Sequence, residues 1–267
     1  MNKIGILGCG WLGLPLAIHL KNEGFTINGS TSSNEKLNQL SALGINAFLI
    51  DLPHQFDESF FHDIDALLIN IPPATGRQGV NFHLKCIEKI SGFIPSTTKI
   101  IYVSATSVYP KNDRPIDENV PVDGNADRAK ALWQVEEFLL KLSHKVHILR
   151  LGGLLGYNRI PGRYFAGKTV DTPDEKVNYI HRDDAISIIN GLLKIPASGE
   201  IFNGVAPKHP TKKEVYTGNA EKFGFESPVF ESKDNQLTKR FIRSDQIVQK
   251  LGYSFIYPDP NTFYYTI

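Results

Sequence analysis

The run Gly8-Cys9-Gly10-Trp11-Leu12-Gly13 lies between an aliphatic segment, Lys3 to Leu7, and a helix-like stretch, Trp11 to Asn22. No other feature constrains this 267-residue chain as much. Each glycine of a GxGxxG at a strand-to-helix junction has a physical task. The first makes a tight turn, the second lets the backbone approach a pyrophosphate, and the third lets helix and strand pack closely. The positive end of the following helix then favours an anion. A glycine turn alone is weak evidence, since such turns are common. Its place at the start of a βαβ unit is what the dinucleotide fingerprint requires. Gly8, Gly10, Trp11, Leu12 and Gly13 are therefore expected to hold the cofactor, the plainer alternative being a tight turn.

The same fingerprint expects an acidic residue about 20 positions on, to grip the ribose diol of NAD. Here the second strand is followed by Gly29-Ser30-Thr31-Ser32-Ser33, and the first carboxylate is Glu35. Hydroxyls of Ser30, Thr31 and Ser32, with Lys36 a helical turn away, suit a 2′-phosphate better than a diol. NADP is expected over NAD. Ser32 or Ser33 could also serve simply as a helix cap. Asp51-Leu52 at the end of the third strand, Ile71-Pro72 after the fourth and Ser104 in the fifth complete the expected cofactor contacts. Asp51 could equally be a turn residue.

Alternation of aliphatic runs with helix-like stretches predicts a parallel, doubly wound α/β sheet of Rossmann type with six or seven strands. The expected strands are Lys3–Leu7, Phe25–Asn28, Ala47–Ile50, Ala66–Ile71, Lys99–Val103 and Val146–Leu151. Ala66–Ile71 is apolar except for Asn70. Helices are expected over Asn34–Ala42, Asn81–Phe93 and Asp127–Leu142, with a loop over Pro110–Asn125. Beyond Leu151 the rhythm breaks into shorter elements over Val177–Ile180, Asp183–Leu193 and Ile201–Asn203. The expected division is a nucleotide-binding domain over 1–151 and a smaller C-terminal substrate lobe over 152–267, with about 175–205 returning to the sheet.

Composition narrows the partners. Lys and Arg number 29 against 28 Asp and Glu, and the longest basic runs are pairs such as Lys212-Lys213, so no nucleic-acid partner is expected. Cys9 and Cys86 make no disulfide framework, and no Cys/His cluster suggests a metal. The apolar stretch Ile4–Ile18 could pass for a leader, but its glycines and the lack of a small-x-small cleavage site favour a buried strand and helix. A cytoplasmic protein without a membrane partner is expected.

Gly8 to Gly13, Tyr102-Val103-Ser104-Ala105-Thr106-Ser107-Val108-Tyr109, Leu149-Arg150-Leu151-Gly152-Gly153-Leu154-Leu155-Gly156 and Val177 to Ala185 occur in an order that resembles the extended short-chain dehydrogenases/reductases. Lys239-Arg240-Phe241 through Tyr257-Pro258-Asp259 adds to the likeness. The chain is most similar to the atypical branch known as the NAD-dependent epimerase/dehydratase family, over nearly its whole length. The resemblance implies an oxidoreductase, epimerase or dehydratase that uses a Ser or Thr with a YxxxK pair. The sequence departs from that pattern: the Ser/Thr position is Ala105, and if Lys130 is the lysine, the tyrosine position is Ala126.

Two functions follow. One is an NADP(H)-dependent oxidoreductase or epimerase with a displaced acid, Tyr109 or His181, the latter with an ordinary pKa of about 6.5. Thr106 would then orient a substrate oxygen, and Lys130 the ribose. The other is a non-catalytic NADP sensor or interaction module. In that reading Tyr109 is an aromatic anchor, His181 a structural hydrogen bond beside Asp183 and Asp184, and Lys130 a solvated helix residue. Arg159 and Arg163, with Tyr157 and Tyr164, fall where a small anionic substrate would be lined, or on a surface loop. Trp133 and Phe138, off the main stripe of the 127–142 helix, suit a homodimer face or packing within the chain.

Overall fold

The computed structural model describes residues 1–234 and 237–267, with Arg77 described by its backbone alone. The chain forms two compact units, each assembled from three stretches. The first holds Met1–Val108, Val122–Arg150 and Ile189–Ile201; the second holds Tyr109–Pro121, Leu151–Ile188 and Phe202–Ile267.

In chain order the elements begin β1 (Lys3–Leu7), α1 (Gly13–Asn22), β2 (Thr26–Thr31), α2 (Asn34–Ala42), β3 (Asn46–Leu49) and β4 (Ala66–Ile69). A short α3 (Thr75–Gln78), α4 (Phe82–Ser91), β5 (Lys99–Ala105), α5 (Asp127–Lys141) and β6 (Lys145–Leu151) follow. Then come β7 (Gly153–Leu155), α6 (Pro161–Tyr164), β8 (Thr169–Val170), β9 (Tyr179–His181), α7 (Arg182–Lys194) and β10 (Glu200–Gly204). The last are α8 (Lys212–Phe223), β11 (Val229–Phe230) and α9 (Asp245–Leu251).

The central sheet has the strand order β10-β6-β5-β4-β1-β2-β3. Ile4, Ile6, Leu67 and Leu68 are buried, as expected of strands covered on both faces. This is the doubly wound Rossmann-type architecture. β1 pairs in parallel with β2 on one side and β4 on the other, so the chain order reverses beside it. Ligands of open α/β sheets bind outside the carboxyl ends of the strands at such a reversal.

Several boundaries differ from those read off the sequence. β4 ends at Ile69 rather than Ile71, and α4 covers Phe82–Ser91. Three further shifts lie at or beside the glycine turn and β5. Helix α1 starts at Gly13, two residues late, because Gly10 to Leu12 are spent in the turn. β2 runs on to Thr31 because Gly29, Ser30 and Thr31 pair with Ala47, Phe48 and Leu49 of β3. β5 likewise continues to Ala105. Two hydroxyl residues expected in a loop, Ser30 and Thr31, are thereby strand residues, 2% and 8% exposed.

One buried ion pair in the first unit ties helix to sheet. Glu136 of α5 accepts from Arg150 Nη2 at 2.6 Å and from Ser104 Oγ of β5 at 2.5 Å. Both charged residues are almost fully buried. Two charges out of water persist only if each is paired and hydrogen-bonded.

The second unit is built on aromatic and small-residue packing. β7 pairs in parallel with β9, and β8 with β11. Leu155, Ile160, Ala206, Phe263 and Tyr265 form one core cluster; Val170, Val177, Val215 and Tyr216 form another. α8 opens with a reciprocal cap between Thr211 and Glu214 and ends at Gly224, whose φ of 68° is left-handed. The Asp184 carboxylate accepts from Tyr253 Oη at 2.6 Å and from the N–H groups of Ile256 and Tyr257, pinning the C-terminal stretch. No helix among the described residues is long and apolar enough to cross a membrane.

Removing one partner of the buried ion pair strands the other. Glu136→Ala is expected to cost about 3–5 kcal/mol of stability, and a double change to Leu at 136 and Met at 150 to restore much of it. Chemical denaturation of the three proteins measures both.

Candidate functional site

The turn after β1 is fixed by its neighbours on both sides. Gly8 N–H donates to Ser30 Oγ at 2.9 Å, and Cys9 N–H donates to Ser30 O at 2.9 Å. From β4's side, Asn70 Nδ2 donates to Gly8 O at 3.1 Å. Gly8 has a φ of 104°, a region that L side chains rarely adopt, and a Cβ there would lie 2.8 Å from Asn70 O. A Cβ on Gly13 would lie 2.1 Å from Gly8 O, so α1 presses on the turn as closely as backbone allows. Gly10 is different. A Cβ there would meet no atom within 4 Å, so nothing in the described chain requires glycine at that position.

Gly10 borders a cavity of about 380 Å³ at the carboxyl ends of the first four strands. The turn contributes Leu7 through Gly10, β2 and its exit Ser30, Thr31, Ser32 and Lys36, and the exit of β3 Ile50, Asp51 and Leu52. Asn70, Ile71, Pro72 and Ala74 follow β4, and Phe82, His83 and Cys86 come from α4. Of the expected cofactor residues, Gly8, Gly10, Ser30, Thr31, Ser32, Lys36, Asp51, Leu52, Ile71 and Pro72 are thus brought together. Trp11, Leu12 and Gly13 are not in the wall: Leu12 is buried at the helix start, and Gly13 faces Gly8. Ser104 is likewise outside the wall, and its hydroxyl donates to Glu136 of α5.

The hydroxyl run is less available than it looked. Ser30 Oγ serves Gly8, and Thr31 Oγ1 accepts from Ser33 N–H at 3.2 Å. Ser32 and Lys36 are exposed and border the cavity. Burial pushes the Cys9 thiol up to about 12 and Cys86 to about 11, so neither is a nucleophile at neutral pH. His83 is held down at about 4, first by burial and then by the Arg128 charge.

The wall residues that no motif indicated are Asn70, Ala74, Phe82, His83 and Cys86. Asn70, the single polar residue in an apolar strand, was the one signal available from sequence.

The expected acid–base groups are placed otherwise. In the first unit Thr106 is 8% exposed in a 3₁₀ turn after β5, and Lys130 is exposed on α5. In the second, Tyr109 is 3% exposed and donates to Asn203 Oδ1 at 2.8 Å. Asn203 in turn receives no freedom: its N–H donates to Glu118 and its amide to Arg243 O. His181 is wholly buried and packs against the rings of Tyr157, Tyr257 and Phe263. Its Nε2 donates to Tyr264 O at 3.1 Å while Nδ1 accepts from Asp183 N–H, and burial lowers its pKa. Both ring nitrogens of the neutral imidazole are thus engaged within the protein. Among the described residues no group of three His, Cys, Asp or Glu is arranged to hold a metal ion.

No family model matches the chain. Protein YeeZ of Escherichia coli K12 is 33% identical over 97% of this chain and 98% of its own length. The chain belongs to the YeeZ family. Its fold is shared with a functionally unknown conserved protein of Silicibacter pomeroyi DSS, at a TM-score of 0.82 and 20% identity over 98% and 96% of the two chains. UDP-glucuronic acid 4-epimerase of Bacillus cereus, solved with NAD, gives a TM-score of 0.77 at 17% identity over 97% and 95%. UDP-glucose 4-epimerase of Thermotoga maritima gives 0.75 at 16% over 96% and 94%. At these identities the likeness is one of fold alone.

The glycines separate stability from ligand binding. Gly13→Ala should destabilise by about 1–3 kcal/mol or more through overpacking against Gly8 O. Gly10→Ala should change stability by less than about 0.5 kcal/mol. Thermal melts without ligand check the contrast. For His83 the folded pKa lies below the unfolded one, so the unfolded chain binds the extra proton first. Stability should fall by about 1.4 kcal/mol per pH unit as pH drops from about 6.5 towards 4, and this component should vanish in His83→Phe.

Proposed function

We propose that this chain is an NADP(H)-binding protein of the oxidoreductase and epimerase kind, from the atypical branch of the short-chain dehydrogenases/reductases, that works without the YxxxK pair. The observation that carries the reading is Gly10. Gly8 and Gly13 are explained by contacts within the protein, whereas Gly10 opens on a cavity and is explained by a ligand's backbone approach. The N–H groups of the turn and the start of α1 would hold the pyrophosphate. Asp51 and Leu52 would border the adenosine. A bound nicotinamide supplies hydride transfer; this chain's residues supply binding and orientation.

NADP rather than NAD is supported by the exit of β2. No carboxylate stands there to bind a ribose diol, while Ser32 and Lys36 line the cavity with exposed polar ends beside the start of α2. A 2′-phosphate would meet a hydroxyl, an ammonium and the unpaired N–H groups of a helix start.

A second reading, binding without turnover, is favoured by the engagement of Tyr109 and His181 described above, and by alanine at 105 and 126. In that reading the protein senses the cofactor, and Thr106 and Lys130 have no chemical role.

Calorimetry with NADPH and NADH should give tighter binding of NADPH. Lys36→Glu should erase that preference by about tenfold or more, and Gly10→Val should abolish binding of both without lowering the unliganded melting temperature. Equal affinities for the two cofactors would sink the 2′-phosphate argument. Single-turnover oxidation of NADPH across a panel of carbonyl compounds then separates the readings. Substrate-dependent oxidation, lost in Thr106→Ala, supports an enzyme; binding with none supports a sensor.

A further inference from the structure

The cavity wall carries a side-chain pair that the glycine fingerprint does not encode. His83 of α4 is 2% exposed, and its Nε2 lies 2.9 Å from the hydroxyl of Tyr102 on β5. The two rings are tilted by 36° with centroids 6.0 Å apart. Tyr102 is fully buried, and its burial pushes the phenol well above its ordinary pKa, so the hydroxyl keeps its proton. A buried hydroxyl left without an acceptor is costly. Among the described residues His83 Nε2 is the partner that Tyr102 has.

Tyr102 therefore donates to Nε2, which must be the unprotonated nitrogen. The neutral imidazole then carries its proton on Nδ1. Nδ1 has no hydrogen-bond partner among the described residues, yet it is not one of the buried polar atoms sealed from solvent without a partner. The little surface that His83 keeps includes this N–H, on a residue that borders the cavity. The tautomer, the packing and the opening all present one oriented donor to whatever fills the space.

We propose that His83 donates its Nδ1–H to a phosphate oxygen of the bound dinucleotide, with Tyr102 as the positioning residue that fixes the tautomer. This rests on the NADP(H)-binding reading. A neutral donor suits the place: burial and the Arg128 charge both oppose a second proton, so the ring contributes direction rather than charge. Its spacing from the glycine turn in sequence is what hid it, since α4 follows two further strands.

Nitrogen-15 NMR of histidine-labelled full-length protein tests the proposal without altering it, His83 being assigned by its absence from His83→Gln. The free protein should show His83 protonated at Nδ1. Saturation with NADPH should move that resonance and slow its exchange with water. Tyr102→Phe should shift the tautomer towards Nε2–H, and His83→Phe should weaken NADPH binding about tenfold or more. A His83 signal unmoved by saturating NADPH overturns the proposal, as does His83→Phe binding as tightly as the parent. If the parent protein binds neither NADPH nor NADH, the NADP(H) reading itself falls and this inference with it. If it binds while His83 stays a spectator, only the His83 assignment falls.

Discussion

The turn after β1 depends on a single side chain of the neighbouring strand. Ser30 takes the Gly8 N–H on its hydroxyl and the Cys9 N–H on its carbonyl, while Asn70 holds the Gly8 carbonyl from the other side. That carbonyl is the atom against which Gly13, and with it the whole of α1, is packed. The glycine turn is therefore not a local motif with its own stability. It exists because β2 and β4 flank β1 in parallel register, Gly5 against Asn28 and Leu67, so that their exits converge on one peptide. The same convergence makes the cavity, since those strand exits are its walls.

Much of this was legible because hydrophobic periodicity and glycine chemistry are short-range signals. β1, α2, α5 and β6 end within a residue or two of where apolar spacing put them. What sequence reasoning misjudged was the fate of Ser30 and Thr31. A run of small polar residues after an apolar segment reads as a loop, but cross-strand pairing with β3 extends the strand over them, and pairing partners are invisible in one sequence. The partner of Ser104 was hidden for a similar reason. Its hydroxyl is claimed by Glu136, 32 residues later, and no local pattern announces a buried acid on a helix otherwise polar to solvent. His83 and Cys86 were missed because α4 carries no cofactor motif; its placement over the strand exits comes from the fold.

The expected acid–base groups show a different relation, in which polar atoms also serve cohesion within the fold. Tyr109 and His181 are titratable and stand within family-like motifs. Each is buried in an aromatic or hydrogen-bonded setting that satisfies its polar atoms internally. Tyr109 is held by the Asn203 side chain, and His181 by a backbone carbonyl and a backbone N–H. The strength of the family motifs lay in the fold they mark.

The electrostatics of the cavity follow from these assignments. Among the described side chains of its wall, Lys36 is the cation and Asp51 the anion, so their charges cancel to first order. The polar character of this space comes from oriented dipoles more than from net charge: backbone past Cys9, the start of α1, and the His83 imidazole, which burial holds neutral. Fixed dipoles in a water-poor cleft need no reorganisation when the ligand arrives, whereas a buried arginine or lysine would need a permanent partner in the empty state. Among the described residues the deeply buried ion pair of Glu136 with Arg150 lies elsewhere, holding α5 to the sheet. The charges of the cavity wall stay nearly balanced, with Lys36 exposed on α2.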